Sequence, residues 1–413
     1  MYRAWVLRAV IAPSWEYSGG DLGHAPEVSH CGGLTATVGR TPVETPAETL
    51  GARIRTHLCD NRSLSAMSVR VGILGATGAV GQRFIQLLGD HPTFELAAVT
   101  ASQSSAGKTY REAAKWRVDT PIPQDVAEME VKATDPAAIE DADVDLLFSS
   151  LPSGAAAEVE PDFLEAGYVV SSNSSNDRMA PDVPLTIPEI NPDHLGLIEV
   201  QREERGWDGA LVKNPNCSTI TMVPTLAALD EFGLETVHVS TLQAVSGAGY
   251  SGVTSMEILD NAIPHIGGEE DKMETESRKL LGSFDGAELT LHDADVAASC
   301  NRIPTLDGHL ENVFVEMAET PEVPEVREAM RAFEGTDLPS SPSQLIKVFG
   351  PDEPDRPQPR LDRTYADGMG IVAGGVTATT AGVQYNCLAH NTIRGAAGAS
   401  ILNGELLVDA GYV

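Results

Sequence analysis

A glycine-rich turn between a strand-like segment and a helix-like segment constrains the fold of this chain more than any other feature. Val69–Leu74 is typical of a buried strand, and apolar residues recur at helical spacing after position 79. Between them, Gly75 allows a tight turn, Gly78 allows the backbone to approach a pyrophosphate, and Gly81 allows a helix to pack on the strand. This order predicts an α/β fold that starts with a Rossmann-type parallel sheet and its dinucleotide site.

Further strand-like segments continue this pattern along the first half of the chain. Apolar runs typical of buried parallel strands occur at Phe94–Thr100, Val144–Ser150, Tyr168–Ser171 and Gly209–Lys213. After the last of these, the pattern changes to longer alternating strands and mixed elements. The sequence therefore predicts a parallel-sheet domain followed by a region of different architecture. Near the end, residues 389–402 are rich in small residues and predict a helix that packs closely against another backbone.

A cysteine stands at the start of a predicted helix, directly after the Gly209–Lys213 segment. An Asn-Pro dipeptide forces a turn just before Cys217. Helix N-termini expose unpaired N–H groups and a partial positive charge, which favour thiolate over thiol. The segment thus predicts a nucleophilic sulfur with a lowered pKa beside an oxyanion-stabilising pocket. The alternative from this segment alone is a small buried cysteine that only packs there. Pro224 predicts an interruption of the helix behind the cysteine.

The end of the second strand bears on the choice of cofactor. An NAD-binding site usually has an acidic residue here for the ribose 2′-hydroxyl, but residues 101–107 contain none. Small hydroxyl side chains and Lys108 would tolerate a 2′-phosphate instead. The sequence therefore favours NADP and leaves NAD possible. Farther along, Arg178 follows the Tyr168–Ser171 strand and could bind an anion or simply face solvent.

The charge composition excludes several classes of protein. The net charge is −32, from 60 acidic and 28 basic residues, of which seven are lysines. This acidity is spread over residues 67–413, which argues against nucleic acid as a partner and resembles proteins of salt-accumulating organisms. Five cysteines at irregular spacing fit neither a disulfide framework nor a zinc site and indicate a reducing cytoplasm. No apolar run approaches the roughly 18 residues of a membrane span.

Residues 1–66 differ from the rest of the chain. They contain six arginines and six acidic residues, so their net charge is zero. They show no periodicity that would bury a face and no credible targeting signal. We expect this extension to be disordered or a mis-assigned start, with Met67 as the true first residue; the alternative is a regulatory tail.

Several motifs in a fixed order resemble the aspartate-semialdehyde dehydrogenase family, in the branch found in archaea and fungi. The resemblance runs from Ser68 to about Leu407. The motifs that carry it are the glycine turn, Asn214–Thr219, Gln243–Gly247, the helix with Glu276 and Lys279, Asn301–His309, and His390–Gly398. Together they favour a catalytic cysteine over a structural one.

The resemblance implies a role for each matching residue. Cys217 would be the nucleophile, His309 the general acid/base, and Gln243 the group that orients the acyl intermediate. Arg302 would bind the substrate carboxylate and Glu276 its amino group, with phosphate bound by the set Asn216, Arg178 and Lys279. The implied cofactor residues are Gly75, Thr77, Gly78, Ala79, Val80, Gly81, Ser102, Ser246, Gly247 and Asn391. No metal is implied.

The resemblance also implies a domain organisation and an assembly. It predicts an NADP-binding Rossmann domain over residues 67–213 and an α+β catalytic and dimerisation domain over 214–385. Residues 386–413 would form a C-terminal helix that packs back on the Rossmann domain. The expected partners are a small-molecule substrate and further copies of the chain, in a homodimer or homotetramer.

One departure and three alternatives limit what the resemblance implies. Ser104 stands where this branch commonly has arginine, which removes a partner for the 2′-phosphate. Malonyl-CoA reductase belongs to the same superfamily and shares most of these motifs, and N-acetylglutamyl-phosphate reductase is a further alternative. Arg302 together with Glu276 favours an amino-acid substrate. A non-catalytic NADP-binding sensor would be expected to lack the cysteine or the histidine, and both are present.

Overall fold

Six parallel strands form the first sheet and place the glycine turn at its carboxyl edge. The computed structural model describes residues 68–413, so the prediction about residues 1–66 lies outside it. The elements of this part are β1 Val69–Leu74, α1 Ala79–Leu88, β2 Phe94–Ala101, α2 Tyr110–Ala113, α3 Gln124–Glu128, β3 Lys132–Ala133, α4 Pro136–Ile139, β4 Leu146–Ser149, α5 Ser153–Glu165, β5 Val169–Ser172, α6 Leu197–Arg205 and β6 Ala210–Lys213.

The strand order of the first sheet determines where a ligand can bind. The order is β3-β2-β1-β4-β5-β6, so the direction of winding reverses between β1 and β4. Leu74 at the end of β1 pairs with Thr100 on one side and Ser149 on the other. The three strands therefore end together, and the loops after them form a crevice of the kind that binds dinucleotides. This arrangement confirms the predicted Rossmann-type sheet.

A second, mixed sheet follows in the chain. Its part of the structure comprises α7 Thr219–Ala227, β7 Leu234–Gln243, α8 Ser255–Ile258, α9 Glu269–Leu280, β8 Ser283–Phe284, β9 Leu289–Thr290, β10 Asp295–Arg302, β11 His309–Met317, α10 Val323–Ala332, β12 Ile346–Val348, α11 Pro359–Asp362, β13 Ile371–Ala378, β14 Gly382–Ala389 and α12 Gly398–Asp409. The sheet order is β10-β7-β11-β14-β13-β12.

The two faces of the second sheet differ in exposure. Helices α7, α9 and α10 pack on one face, where Val313 and Val315 of β11 are buried. Because side chains alternate along a strand, Phe314 points to the other face and is 44% exposed. The sheet also pairs β7 with both β10 and β11, which aligns Gln243 with Arg302. Residues that the sequence separates by about 60 positions therefore lie side by side.

The last helix returns to the first sheet. After β14, a π-helical turn at Ile393–Ala397 leads into α12, which is buried from Gly398 to Leu407. Its apolar side chains share one core with the first sheet, including Val71 and Ile73. The helix predicted over 389–402 therefore begins later than expected, because β14 continues through Ala389. Within residues 68–413, neither α12 nor another helix combines the length and apolarity needed to cross a membrane.

The predicted interruption of the helix behind the cysteine is wrong. Helix α7 continues through Pro224 to Ala227, and the Pro224 carbonyl accepts a 3.2 Å hydrogen bond from the amide of Ala228. Every residue from Thr219 to Leu226 is buried. Because tertiary packing surrounds the helix on all sides, it outweighs the poor helical propensity of one proline.

An ion pair at the start of the last helical segment is completely buried. Arg394 donates to both carboxylate oxygens of Glu189, at 2.7 and 3.0 Å, and both side chains are 0% exposed. Removing one partner leaves the other charge unpaired in the core. We expect Arg394→Leu to lower the free energy of unfolding by about 3–5 kcal/mol, because a buried charge then loses its partner. Urea denaturation measures this.

Two further variants test whether the lost partner causes the effect. The exposed pair Glu328 and Arg331, whose atoms are 4.0 Å apart, provides a matched control. Arg331→Leu should change stability by less than about 1 kcal/mol. The double variant Glu189→Leu/Arg394→Leu should recover part of the loss, since no buried charge remains. Equal losses in Arg394→Leu and Arg331→Leu would contradict this account.

Candidate active site

A cavity of about 1160 Å³ lies at the carboxyl edge of the first sheet and is closed by residues of the second part of the chain. Nine of the ten predicted cofactor residues line it: Gly75, Thr77, Gly78, Ala79, Val80, Ser102, Ser246, Gly247 and Asn391. Gly81 lies behind the turn, where a Cβ atom would be 2.4 Å from the Gly75 carbonyl oxygen. The predicted residues Asn216, Arg178, Cys217, Gln243 and Arg302 line the same cavity.

The cysteine and the histidine meet at one wall of this cavity. Cys217 Sγ lies 3.2 Å from His309 Nε2. The other ring nitrogen of His309, Nδ1, accepts a 3.1 Å hydrogen bond from the backbone N–H of Ala244. Because a backbone amide can only donate, the single proton of neutral His309 is on Nε2 and points at the sulfur. Burial and the nearby Arg302 lower the pKa of His309 to about 3, so the ring is neutral at physiological pH.

The electrostatic environment of the sulfur contradicts the prediction of a lowered pKa. Burial raises the pKa of the Cys217 thiol to about 12; Glu269 adds to this, while Arg302 and Arg178 oppose it. The helix start does not compensate, because Asn216 Oδ1 accepts hydrogen bonds from the amides of Ser218 and Thr219, at 2.9 and 3.2 Å. The first N–H groups of α7 are therefore engaged by a capping side chain rather than by the sulfur. The resting form is the thiol.

A buried polar cluster supports the nucleophile from behind. Gln243 Nε2 donates a 2.7 Å hydrogen bond to Ser218 Oγ, and Gln243 Oε1 is buried without a partner. Glu311, two residues after His309 on β11, is fully buried, and burial raises its pKa well above the usual range. Cys387 Sγ lies 3.8 Å from Glu311 Oε2. The sequence analysis missed Glu311, although its position two residues from His309 on a strand puts it on the same face.

Two arginines contribute positive charge to the cavity. Arg302 Nη1 donates to the carbonyl of Ala244 at 2.7 Å, so one hydrogen bond fixes the side chain beside the cysteine. Arg178 is held by the Glu276 carboxylate at 2.8 Å and the Asn173 carbonyl at 2.7 Å. Both side chains are about nine-tenths buried or more and line the cavity, which makes this wall suited to an anionic substrate.

Helix α9 places a different acid–base pair at the cavity from the one that the sequence indicated. Glu269 and Lys272 line the cavity, and Lys272 Nζ is 3.2 Å from Glu269 Oε2. The predicted pair Glu276 and Lys279 lies deeper. Lys279 Nζ donates to three backbone carbonyls at 2.7–2.8 Å, those of Arg178, Ala180 and Val183.

The predicted substrate contacts of Glu276 and Lys279 are therefore not supported. All three Lys279 donors are used within the protein, and Glu276 accepts from Arg178 and from the amide of Asn216 at 2.6 Å. Asn216 is committed as well, since its Nδ2 donates to Glu269 Oε1 at 2.9 Å. The signal that could have indicated Glu269 and Lys272 is the same three-residue spacing at the beginning of the helix.

Two close backbone approaches complete the site. A Cβ atom at Gly247 would lie 2.9 Å from Arg302 Nη1, and one at Gly395 would lie 2.7 Å from Cys217 Cβ. Gly395 belongs to the π-helical turn before α12. Asn391 accepts from the amide of Gly308 at 2.8 Å and donates to Ser246 Oγ at 2.8 Å, so it joins the loops before His309 and after β7. Sequence reasoning did not identify Gly395.

Comparisons with known proteins agree with this arrangement. Family models described as the NAD binding domain and the dimerisation domain of semialdehyde dehydrogenase match residues 70–198 and 226–394. An aspartate-semialdehyde dehydrogenase of Archaeoglobus fulgidus is 52% identical over 343 residues, which cover 83% of this chain and 98% of that protein. Its counterpart from Schizosaccharomyces pombe is 46% identical over 357 residues, which cover 83% and 99%. The structure of aspartate semialdehyde dehydrogenase with NADP from Candida albicans aligns with a TM-score of 0.76 and 38% identity, covering 84% of this chain and all of that one.

Proposed function

Because the chain belongs to the aspartate-semialdehyde dehydrogenase family, we propose that it interconverts 4-phospho-L-aspartate and L-aspartate 4-semialdehyde plus phosphate. In the cell this reaction would serve lysine, threonine and methionine biosynthesis. The observation that carries the proposal is the 3.2 Å contact between Cys217, which lines one cavity with the glycine turn and Arg302, and the buried His309. A nucleophile, a proton-bearing group, an anion site and a dinucleotide site are the parts that this reaction needs.

The residues around the cavity support NADP as the cofactor. The end of β2 contributes Ser102 and Gln103 to the cavity, and Ser102 Oγ is 3.0 Å from Ser104 Oγ. Lys108 Nζ donates to the Ser104 carbonyl at 2.7 Å, so an ammonium group lies beside these hydroxyls. Hydroxyls and an ammonium can bind a 2′-phosphate, and the similar Candida albicans structure contains NADP. NADPH, when bound, supplies the hydride.

The side chains divide the chemical work among them. The Cys217 thiol attacks the acyl carbon; the S–C bond forms, the C–O bond to phosphate breaks, and the departing phosphate takes up the thiol proton. His309 keeps its proton on Nε2 and donates it in a hydrogen bond, first to the sulfur and then to the oxygen on the reacting carbon. After reduction of the thioester, that oxygen re-forms its double bond and the sulfur leaves as thiolate, which releases the aldehyde. A proton from solvent then restores the resting thiol.

Substrate recognition is assigned to the charged residues that line the cavity. Arg302 would bind the α-carboxylate and Glu269 the ammonium group, whereas Lys272 and Arg178 would bind the phosphate. The assay that tests the function follows NADPH oxidation with 4-phospho-L-aspartate, malonyl-CoA and N-acetylglutamyl phosphate as separate substrates. Turnover with 4-phospho-L-aspartate at a kcat/KM well above the other two is expected. Preference for either alternative would contradict the proposal.

The two lysines of α9 provide a matched test of this assignment. Lys272→Met should raise KM for 4-phospho-L-aspartate about 10- to 100-fold, the effect of one charge-assisted hydrogen bond, and leave stability nearly unchanged. Lys279→Met leaves three buried carbonyls unpaired, so it should lower the free energy of unfolding by about 3 kcal/mol. Steady-state kinetics and urea denaturation separate the two effects. A raised KM in Lys279→Met but not in Lys272→Met would restore the sequence-based assignment.

The family model that matches residues 226–394 is a dimerisation domain, and the second sheet lies within this range. We propose that two copies pair through its open face, where Phe314 is 44% exposed. A homodimer, or a homotetramer of two such dimers, is expected by light scattering. Phe314→Asp should shift the protein towards monomer, because it removes an exposed aromatic side chain and adds a carboxylate to a face that already carries Glu316.

The acidic surface predicts that stability depends on salt. Residues 67–413 have a net charge of −32 and the chain has only seven lysines, so like charges repel at low ionic strength. The thermal midpoint should rise from about 0.1 M KCl, where the Debye length is ~10 Å, to molar KCl. NaCl at equal ionic strength is the control and should act similarly, since screening does not depend on the cation. A midpoint that is flat over this range would contradict the prediction.

A further inference from the structure

The loop after β7, residues 246–252, reaches from the catalytic pair to the dinucleotide turn. Near its start, Gly247 lies against the catalytic wall, where a Cβ atom would be 3.4 Å from His309 Nε2. Farther along, the Tyr250 hydroxyl donates a 3.0 Å hydrogen bond to Gln82 Oε1 on α1. Both Gly247 and Tyr250 line the cavity. One short loop therefore contacts the reacting residues at one end and the nucleotide-binding helix at the other.

The partner of Tyr250 is fixed in position. Gln82 is completely buried, and its Nε2 donates to the carbonyls of Thr77 and Lys115 at 3.0 and 3.1 Å. Its Oε1 also accepts from the amide of Arg117 at 2.9 Å. The amide group thus makes two hydrogen bonds through each end, which is its full capacity. Because Thr77 is part of the glycine turn, Gln82 ties Tyr250 directly to the backbone that would approach the pyrophosphate.

The ring of Tyr250 makes a further contact, and the loop around it contains two glycines in the left-handed region. The Arg117 guanidinium lies 5.1 Å from the ring centroid, within the range of a cation–π contact. Gly249 and Gly252, on either side of the tyrosine, have φ values of +72° and +51°, which residues with a Cβ atom rarely adopt. This loop conformation therefore requires glycine at both positions, and it places Tyr250, 39% exposed, at the edge of the cavity.

We infer that Tyr250 is a cofactor-binding residue that, through Gln82, closes the 246–252 loop over the phosphate-binding turn. The inference rests on the proposed dinucleotide function of the cavity. A dinucleotide on the glycine turn would lie between the N-terminus of α1 and this loop. Loss of the hydroxyl would free the loop from α1 without removing any group from Cys217 or His309. Loss of the Tyr250 hydroxyl should therefore mainly weaken dinucleotide binding.

The test compares two tyrosine-to-phenylalanine variants. Tyr250→Phe removes only the hydroxyl that reaches Gln82. The control is Tyr365→Phe, which removes a hydroxyl that donates to the Gln344 carbonyl at 2.9 Å and lies outside the cavity. NADPH affinity is measured without substrate by fluorescence titration. Tyr250→Phe should raise Kd about 3- to 10-fold, the effect of one net hydrogen bond, and Tyr365→Phe should change it less than about 2-fold.

Hydrogen exchange of residues 246–252 separates a binding role from a purely structural one. NADPH should slow exchange of this loop in the wild type and in Tyr365→Phe, and slow it less in Tyr250→Phe. Equal NADPH affinity and equal protection in all three proteins would overturn the inference and leave the proposed function standing. A wild-type protein that binds neither NADPH nor NADH would overturn both. Lowered thermal stability of Tyr250→Phe with unchanged Kd would also overturn the inference.

Discussion

Cys217→Ser should lower turnover by at least about 10³-fold while NADPH still binds. A serine hydroxyl is a far weaker nucleophile than a thiolate, and the remaining residues of the site cannot form the acyl intermediate without it. Cys217 lines the cavity, and the hydrogen-bond partner of its side chain is His309 rather than a residue of the glycine turn. Its replacement should therefore leave the dinucleotide site intact. Steady-state kinetics and NADPH fluorescence titration measure the two quantities on the same preparation.

A second cysteine variant controls for nonspecific effects. Cys300 is buried against Met273 and takes no part in the site, so Cys300→Ser should keep most of the activity. Among Cys217, Cys300 and Cys387, iodoacetamide should alkylate Cys217 first, because the other two are buried, and substrate should protect it. Serine-variant turnover close to that of the wild type would refute a covalent role for this residue.

The raised pKa of Cys217 gives the alkylation reaction a definite pH dependence. Only the thiolate reacts, and burial raises the thiol pKa to about 12. Well below that value the thiolate fraction grows tenfold with each pH unit. The rate of alkylation should therefore rise about tenfold per unit between pH 6 and pH 9. A rate that stays constant above pH 7 would show that the sulfur is ionised at neutral pH. That result would support the lowered pKa predicted from the position of Cys217 at the start of a helix.

His309→Ala should lower kcat by about 10²–10⁴-fold with a much smaller change in KM. The reason is that the imidazole Nε2 proton is directed at the sulfur and would stabilise the oxygen on the reacting carbon, where negative charge develops only during the reaction. Rapid-mixing measurement of phosphate release and NADPH oxidation would show which step slows. His292→Ala, at a histidine outside the cavity that contacts Asp230, is the matched control and should behave nearly as the wild type.

The ratio of wild-type to His309→Ala activity should not depend on pH between 6 and 8. Burial and Arg302 lower the pKa of His309 to about 3, so the imidazole is almost entirely neutral, with its proton on Nε2, between pH 6 and 8. Protonation would become significant only as the pH falls towards 3. A ratio that changes severalfold around pH 6.5 would mean that His309 titrates as an ordinary exposed histidine.

The first sheet was predictable because its signals are local. A strand, a glycine turn and a helix within Val69–Leu88 are set by neighbouring residues, and each later parallel strand is an apolar run of a few residues. The cysteine segment was recognisable for the same reason. The raised pKa of Cys217 could not be predicted from the sequence, since it depends on Glu269 and on burial by residues far along the chain.

Helix α9 shows how a correct element can still give the wrong site residues. Glu269 and Lys272 have the same three-residue spacing as Glu276 and Lys279, and seven residues make nearly two full turns. Both pairs therefore share one face of the helix, about 10 Å apart along its axis. Helical periodicity identifies which face of α9 contacts the site, but not which turn along that face reaches the cavity. Only the packing of the helix start against the cavity decides between the two pairs.

The position of α12 has a consequence for how the protein is made. Its side chains Ile401 and Leu407 complete the core that Val71 and Ile73 begin, so this core combines the earliest and the latest of the described elements. On the ribosome, the sheet emerges long before the helix that covers it. The nascent first sheet must then expose an apolar face while the entire second sheet is translated. Synthesis of α12, rather than synthesis of the first sheet, therefore sets the earliest time at which this core can close.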